Sequence, residues 1–298
     1  MTESFFAQIL NTIILRPYVF IFLLIYFLGC SMHFGMKRAF LFGIAGYFIA
    51  LLSEYSSIHN GVPYGYYYYI GQTKGKEIWI LGVPFMDSIS YVFLAYASYS
   101  MALTVISPIL VSRGTLYLLE TRGIRNSIYA RILGAIFFVY LDIIIDPVTL
   151  LGDRWFLGQI YGYPEKGIYF GVPISNFIGW FVVGFLLVYA LQKIDSFLHA
   201  RKTVNRFGYK YPWRYLIGPA LYFAVLLFNI SVTFFISEYN LGWVGIFIIL
   251  LPSFLLYSII KLKLSSGNTD KALEAHLRDF PHAVIPKSQL TEDIQLQN

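Results

Sequence analysis

Seven apolar stretches dominate the chain, at about 14–34, 39–58, 86–111, 128–150, 172–194, 213–236 and 241–261. A bilayer crossing takes ~20 such residues in helix, so each stretch predicts a membrane-spanning helix. The segments between them are polar, aromatic or rich in glycine and proline, which predicts loops. From 265 onward the chain turns polar, and the spacing over 270–280 predicts a short amphipathic helix there. The expected architecture is all-α: a polytopic membrane helix bundle of about seven transmembrane helices over residues 1–264. A polar C-terminal tail follows at 265–298. The first stretch lacks a basic run before it and a small-residue exit after it, which argues for a retained helix rather than a cleaved leader.

Inside this bundle one design occurs twice: an apolar helix holding an acid, an aromatic glycine-rich loop, then Gly-Val-Pro opening another apolar helix. The first copy runs from Glu54 through Tyr64–Tyr69 to Gly82-Val83-Pro84 and Asp87. The second runs from Asp142 and Asp146 through Trp155 and Tyr161-Gly162-Tyr163 to Gly171-Val172-Pro173 and Asn176. Glu54 precedes its Gly-Val-Pro by 28 residues and Asp142 precedes its own by 29; Asp87 and Asn176 each stand five after the glycine. Proline suits a helix's first turn, where its missing N–H has no partner to lose. That explains the helix starts but not the polar residue repeated at one offset. The acid-bearing helices run in the same direction, so the modules are parallel copies. A repeat of this kind places a binding site at its interface.

Composition and charge sharpen the class. Apolar residues make up 57% and charged residues 13% of 298, against about 25% charged in a soluble domain. Of 22 basic residues, five (Arg16, Lys74, Lys76, Arg154 and Lys166) fall on the side of the N-terminus and the aromatic loops. The other 17, among them Arg113, Arg206 and Lys287, fall on the opposite side. The positive-inside rule puts that side in the cytoplasm. The expectation is a multi-pass plasma-membrane protein with its N-terminus outside and its C-terminus inside. Basic loops facing anionic headgroups also account for the net +6 without nucleic acid. The lone Cys30 excludes an intramolecular disulfide.

The chemistry concentrates on carboxyls. Asp142 and Asp146 share a helix face, roughly 12 and 6 Å from the helix end. Two such carboxyls in an apolar site resist double ionisation, which makes the pair a candidate proton donor. The bland alternative pairs one of them with an arginine such as Arg154. Glu54 is the counterpart of Asp142. Asp87 reads as an acid at a helix N-terminus or a site residue, and Asn176 as an interhelical tie or a site residue. Tyr66, Tyr68, Trp155 and Trp180 are candidates for an aromatic cage, since aromatic faces stabilise cations. Acid plus cage suits protonation of an alkene and shelter of the carbocation. No metal-ligand spacing, phosphate loop, dinucleotide fingerprint or nucleophile elbow accompanies these residues.

At these residues the chain resembles the membrane carotenoid biosynthesis family, which includes carotenoid 1,2-hydratases acting on γ-carotene and bisanhydrobacterioruberin. The resemblance is carried by Glu54, Gly61-Val62-Pro63-Tyr64-Gly65, Leu141-Asp142 with Asp146-Pro147, and Gly171-Val172-Pro173 with Asn176-Phe177 and Gly179-Trp180. It covers about 40–190, and more loosely to about 260. Tyr64 stands where the pattern would have phenylalanine. The resemblance implies addition of water, without a cofactor, across the terminal 1,2 double bond of an acyclic carotenoid end such as that of lycopene, γ-carotene or a C50 carotenoid. Asp142 or Asp146 would then be the general acid, with the other carboxylate or Glu54 handling water. Other carotenoid enzymes are the implied partners beside the lipid bilayer. A lycopene-type cyclase begins with the same protonation, and a transporter would also place acids between repeated helices. The orientation has a direct check: a reporter active only in the cytoplasm, fused after Asn298, should give signal, and silence would invert the topology.

Overall fold

A computed structural model describes residues 4–112, 114–203, 208–265, 269–283 and 285. Arg113, Arg206 and Lys287, and the tail after Ile285, lie outside the described residues. The chain folds as an all-α membrane bundle with three short antiparallel pairs of strands among the described residues. Ten helices are described: α1 (Phe5–Leu15), α2 (Pro17–His33), α3 (Met36–Asn60), α4 (Phe85–Ile106), α5 (Arg122–Arg125), α6 (Ile128–Thr149), α7 (Ile174–Ala200), α8 (Ile217–Phe235), α9 (Tyr239–Ser265) and α10 (Thr269–Asp279). Six are long and apolar enough to cross a membrane, and α1 with α2 forms a seventh, bent unit.

Two expected spans are corrected at their ends by proline. The first does not run straight from 14. Pro17 disfavours helix at Arg16, so α1 stops at Leu15 and α2 restarts with Pro17 in its first turn, at 85° to α1. The third does not reach 111. Pro108 ends α4 at Ile106, and the chain continues as a hairpin of β4 (Ile109–Ser112) and β5 (Thr115–Leu118), numbered after three earlier short strands: β1 (Tyr68–Tyr69), β2 (Trp79–Ile80) and β3 (Val83–Pro84). The carbonyls of Thr104, Val105 and Ser107 at this helix end accept from the Lys263 ammonium on α9. The amphipathic tail helix forms as α10, and its Leu273 packs on Leu110, Tyr117 and Leu119 of the β4–β5 region.

Helix α4 is the axis of the bundle. It packs against α2, α3, α6, α7 and α8, and 78% of its most apolar stretch is buried, compared with 6% for the peripheral α9. Small residues let the second module close. A Cβ on Gly184 of α7 would meet Phe138 of α6 at 2.8 Å, so the glycine admits that ring. Gly179, also on α7, receives the loop of the first module: a Cβ there would lie 2.5 Å from the Tyr64 ring and 2.7 Å from Tyr64 Cα. Tyr64 is held from the other side, its N–H donating to Ser57 Oγ at 3.0 Å and its hydroxyl lying 3.0 Å from Ser53 Oγ. The hydroxyl that departs from the resembled pattern thus has a partner on α3.

The loops of the two modules meet at one end. Strand β1 pairs antiparallel with β6 (Tyr161–Gly162), matching Tyr68 with Gly162 and Tyr69 with Tyr161. Ile70 N–H extends the ladder to Ile160 O at 2.6 Å. The parallel repeat therefore brings α3, α4, α6 and α7 to a common roofed end. Gly179→Ala would force the 63–65 turn off α7, an overpacking cost of about 1–3 kcal/mol. The purified variant should melt several degrees lower in detergent than the wild type; an unchanged melting temperature would show that the turn is not seated there.

Candidate active site

Each acid is delivered by the end of a helix. Glu54 lies on the last turns of α3, which stops at Asn60 because Gly61 takes a left-handed conformation and returns its N–H to Ser57 O. Asp87 and Ser88 occupy the first turn of α4, directly after Pro84. Asp142 and Asp146 face inward from the last turns of α6, and Asn176 opens α7 after Pro173. The i, i+4 spacing and the Gly-Val-Pro offsets thus converge on one place.

The groups around the carboxyls are neutral donors. Asp146 accepts three hydrogen bonds: from Tyr161 OH to Oδ1 at 2.5 Å, and to Oδ2 from Tyr163 OH at 2.8 Å and Asn176 Nδ2 at 2.9 Å. The same Asn176 nitrogen donates to Asp142 Oδ2 at 2.8 Å, while Asp142 Oδ1 is buried and accepts nothing. Asp87 Oδ2 accepts from Tyr69 OH at 2.6 Å, and Tyr67 OH stands 3.3 Å from Tyr69 OH. Glu54, fully buried, accepts from Ser88 Oγ. Among the described residues no lysine or arginine forms an ion pair with any of these four carboxyls. Arg154 pairs instead with Glu238 and donates to Ile236 O at 2.5 Å.

Two cavities meet at the acids. The larger encloses about 660 Å³ and is mostly apolar, walled by Tyr18, Phe22, Phe93, Leu157, Ile160, Trp155 and Val225 among others. The smaller encloses about 330 Å³ between Glu54, Tyr64, Tyr67, Tyr69, Tyr163 and Asn176. Asp87, Tyr91, Asp146, Tyr161 and Trp180 line both, so these five residues form the partition. Asp142 lines neither and sits behind Asp146. Trp180 is fixed in the partition by stacking on Tyr91 at 4.9 Å and by Phe138 at 4.6 Å. Tyr163 also lines a surface hollow with Tyr66, Glu165, Pro173 and Ser175, so its ring separates the small cavity from the exterior.

The residues singled out from sequence divide cleanly. Glu54, Asp87, Asp142, Asp146, Asn176 and Trp180 come together. Trp155 reaches the apolar cavity, its indole N–H donating to Val148 O at 3.1 Å. Tyr66 and Tyr68 do not join the acids; they are 60% and 51% exposed. Successive side chains on an extended segment point to opposite faces, and here Tyr67 and Tyr69 hold the inner one. Ser88, Tyr161 and Tyr163 were also missed as partners of the acids. The Tyr-x-Tyr spacing in both loops was the available signal, since it puts two phenols on one face of a strand.

A family model described as carotenoid biosynthesis protein matches residues 8–252, a span that includes α3, α4, α6, α7 and both roofing loops. Comparisons with curated proteins and with solved structures found no match. The matched span covers most of the chain and all of the carboxyl site, and the chain belongs to the carotenoid biosynthesis protein family.

Proposed function

We propose that this protein is a carotenoid 1,2-hydratase, adding water to the terminal double bond of an acyclic carotenoid end group. The observation that carries the reading is the partition: acids placed between an apolar cavity and a polar, phenol-lined one. Hydration needs those two compartments side by side. The alkene end lies in the first, and water reaches the reacting carbon from the second. The polar cavity is lined by carboxyls, phenols and the Asn176 amide, the polar partners that a bound water needs. A cyclase would need water kept away from the cation, which makes the phenol-lined chamber a poor fit to ring closure.

The proposed steps use the hydrogen-bond pattern. Asp146, with three donors on its oxygens, has the surroundings of an ionised carboxylate. Asp87 accepts from a single phenol, on Oδ2, among the described residues, and it faces both cavities. We assign Asp87 as the proton donor to C2 of the alkene. The tertiary cation at C1 is sheltered by the faces of Tyr91 and Trp180. Water adds to C1, and its surplus proton passes to Asp146. Atoms and charge balance: one proton enters from Asp87, one leaves to Asp146, and exchange through the water in the small cavity resets the pair. Asp142 and Asn176 position Asp146, and Glu54 with Ser88 shapes the floor of the polar cavity. This assignment moves the donor from the second module, where the sequence pointed, to the first, with no cofactor invoked.

Expressed in a host that accumulates lycopene or γ-carotene, the protein should yield a product heavier by one water. A ring-closed isomer would identify a cyclase instead, and no new carotenoid from any acyclic-ended substrate would refute both. Asp87→Asn and Asp146→Asn should each lower turnover by about 10²–10⁴-fold, with insertion unaffected. Tyr66→Phe and Tyr68→Phe, on the outer face of the strand, should stay near wild-type activity. Full activity in both aspartate variants would remove the acid–base assignment.

A further inference from the structure

The end of the bundle opposite the acids holds a second cavity, open at one side, that the hydration chemistry does not use. It encloses about 720 Å³ where the C-terminus of α2, the start of α3, α5, the end of α7 and the segment after α10 converge. Arg38, Arg122, Arg125, Lys202, His33 and Asp195 line it. Several of these charges are already matched. Asp195 takes Arg38 Nε at 2.5 Å and stands 3.9 Å from Arg125; Glu120, behind the wall, takes Arg125 Nε at 2.6 Å and His33 Nε2 at 2.9 Å. Asp279 accepts the backbone N–H of Arg122 at 2.7 Å.

Two cations are left over. The guanidinium of Arg122 and the ammonium of Lys202 have no carboxylate within ion-pair distance among the described residues. Phe280 lies beneath Arg122 and Arg125, at 5.2 and 4.5 Å from ring centre to guanidinium, and holds both planes in place. His33 Nδ1, on a side chain only 4% exposed, is buried at this wall with no partner. Burial lowers the Arg122 pKa, and Arg125 and Arg38 push the same way against Asp195. A cavity with fixed guanidinium planes and two unmatched positive charges is complementary to a doubly charged oxyanion.

We propose that this cavity binds a phosphate group, with Arg122 and Lys202 as its principal contacts and Arg38 and Arg125 as its fixed rear wall. The phosphate could be carried by an anionic lipid headgroup or by a soluble phosphorylated compound, and the chemistry of recognition is the same. The inference stands apart from the carotenoid reading.

The test uses the full-length protein in neutral detergent, with melting temperature as readout. The probes are inorganic pyrophosphate and short-chain phosphatidylglycerol, with phosphatidylcholine as the uncharged control. Stabilisation by phosphatidylglycerol but not by pyrophosphate or phosphatidylcholine assigns the site to a lipid headgroup, and the reverse assigns it to a soluble phosphate. In either case Arg122→Gln combined with Lys202→Gln should weaken the apparent affinity by roughly tenfold or more. Lys202→Gln alone, a change at an exposed side chain, should produce part of that loss without touching the fold. Absence of stabilisation by both anionic probes, or equal stabilisation of wild type and double variant, would overturn the proposal.

Discussion

Four carboxyls lie inside an apolar bundle without an ion-pair partner among the described residues, and much of this fold answers that constraint. Buried acids of this kind are costly unless their oxygens find donors. The donors here are hydroxyls and an amide, each from outside the helix that bears the acid it serves: Ser88, Asn176, Tyr69, Tyr161 and Tyr163. The phenols can arrive only if both long loops fold back over the helix ends. The β1–β6 ladder locks the loops to each other, and Gly179 lets the first loop lie against α7. The repeat thus builds one pocket, since both modules contribute to a roof that neither could supply alone.

The two ends of the bundle solve the problem of buried charge in opposite ways. At the basic end, carboxylates and guanidinium groups pair directly. Burial raises the Glu120 pKa, but His33 and Arg125 outweigh it and hold that carboxyl down at about 2. Such pairs add little net stability because desolvation offsets their attraction, but they fix how α2, α3, α5 and α7 meet. At the acid end the four site carboxyls are met by neutral donors instead, while Arg16 is taken up by Glu77 and Arg154 by Glu238 among the described residues.

The helices and the acid cluster were legible in the sequence for physical reasons. Spans announce themselves by length and hydropathy, and Asp142 and Asp146 could only share a face at their spacing. The Gly-Val-Pro offsets put Asp87 and Asn176 at matching positions of the two modules. The phenols were harder. Tyr66 through Tyr69 are identical in chemistry, and only the strand's phase decides that Tyr67 and Tyr69 turn inward. That phase is set by pairing with β6, about ninety residues away, a contact that local pattern cannot carry. The breaks at Arg16 and Ile106 were written in Pro17 and Pro108 but masked by apolar runs continuing past them. The cavity at the basic end escaped notice because its residues are scattered over five segments and read singly as solvated charges.

The central claim is that Asp87 delivers the proton while Asp146 removes one from the attacking water. Deuterium exchange in D2O separates the two roles. In Asp146→Asn, protonation at C2 should still occur and reverse without capture by water. Recovered substrate should therefore carry solvent deuterium at C2 and no added oxygen, whereas substrate recovered from Asp87→Asn should carry none. Deuterium in the substrate from Asp87→Asn, with none from Asp146→Asn, would contradict the assignment and return the donor to the second module.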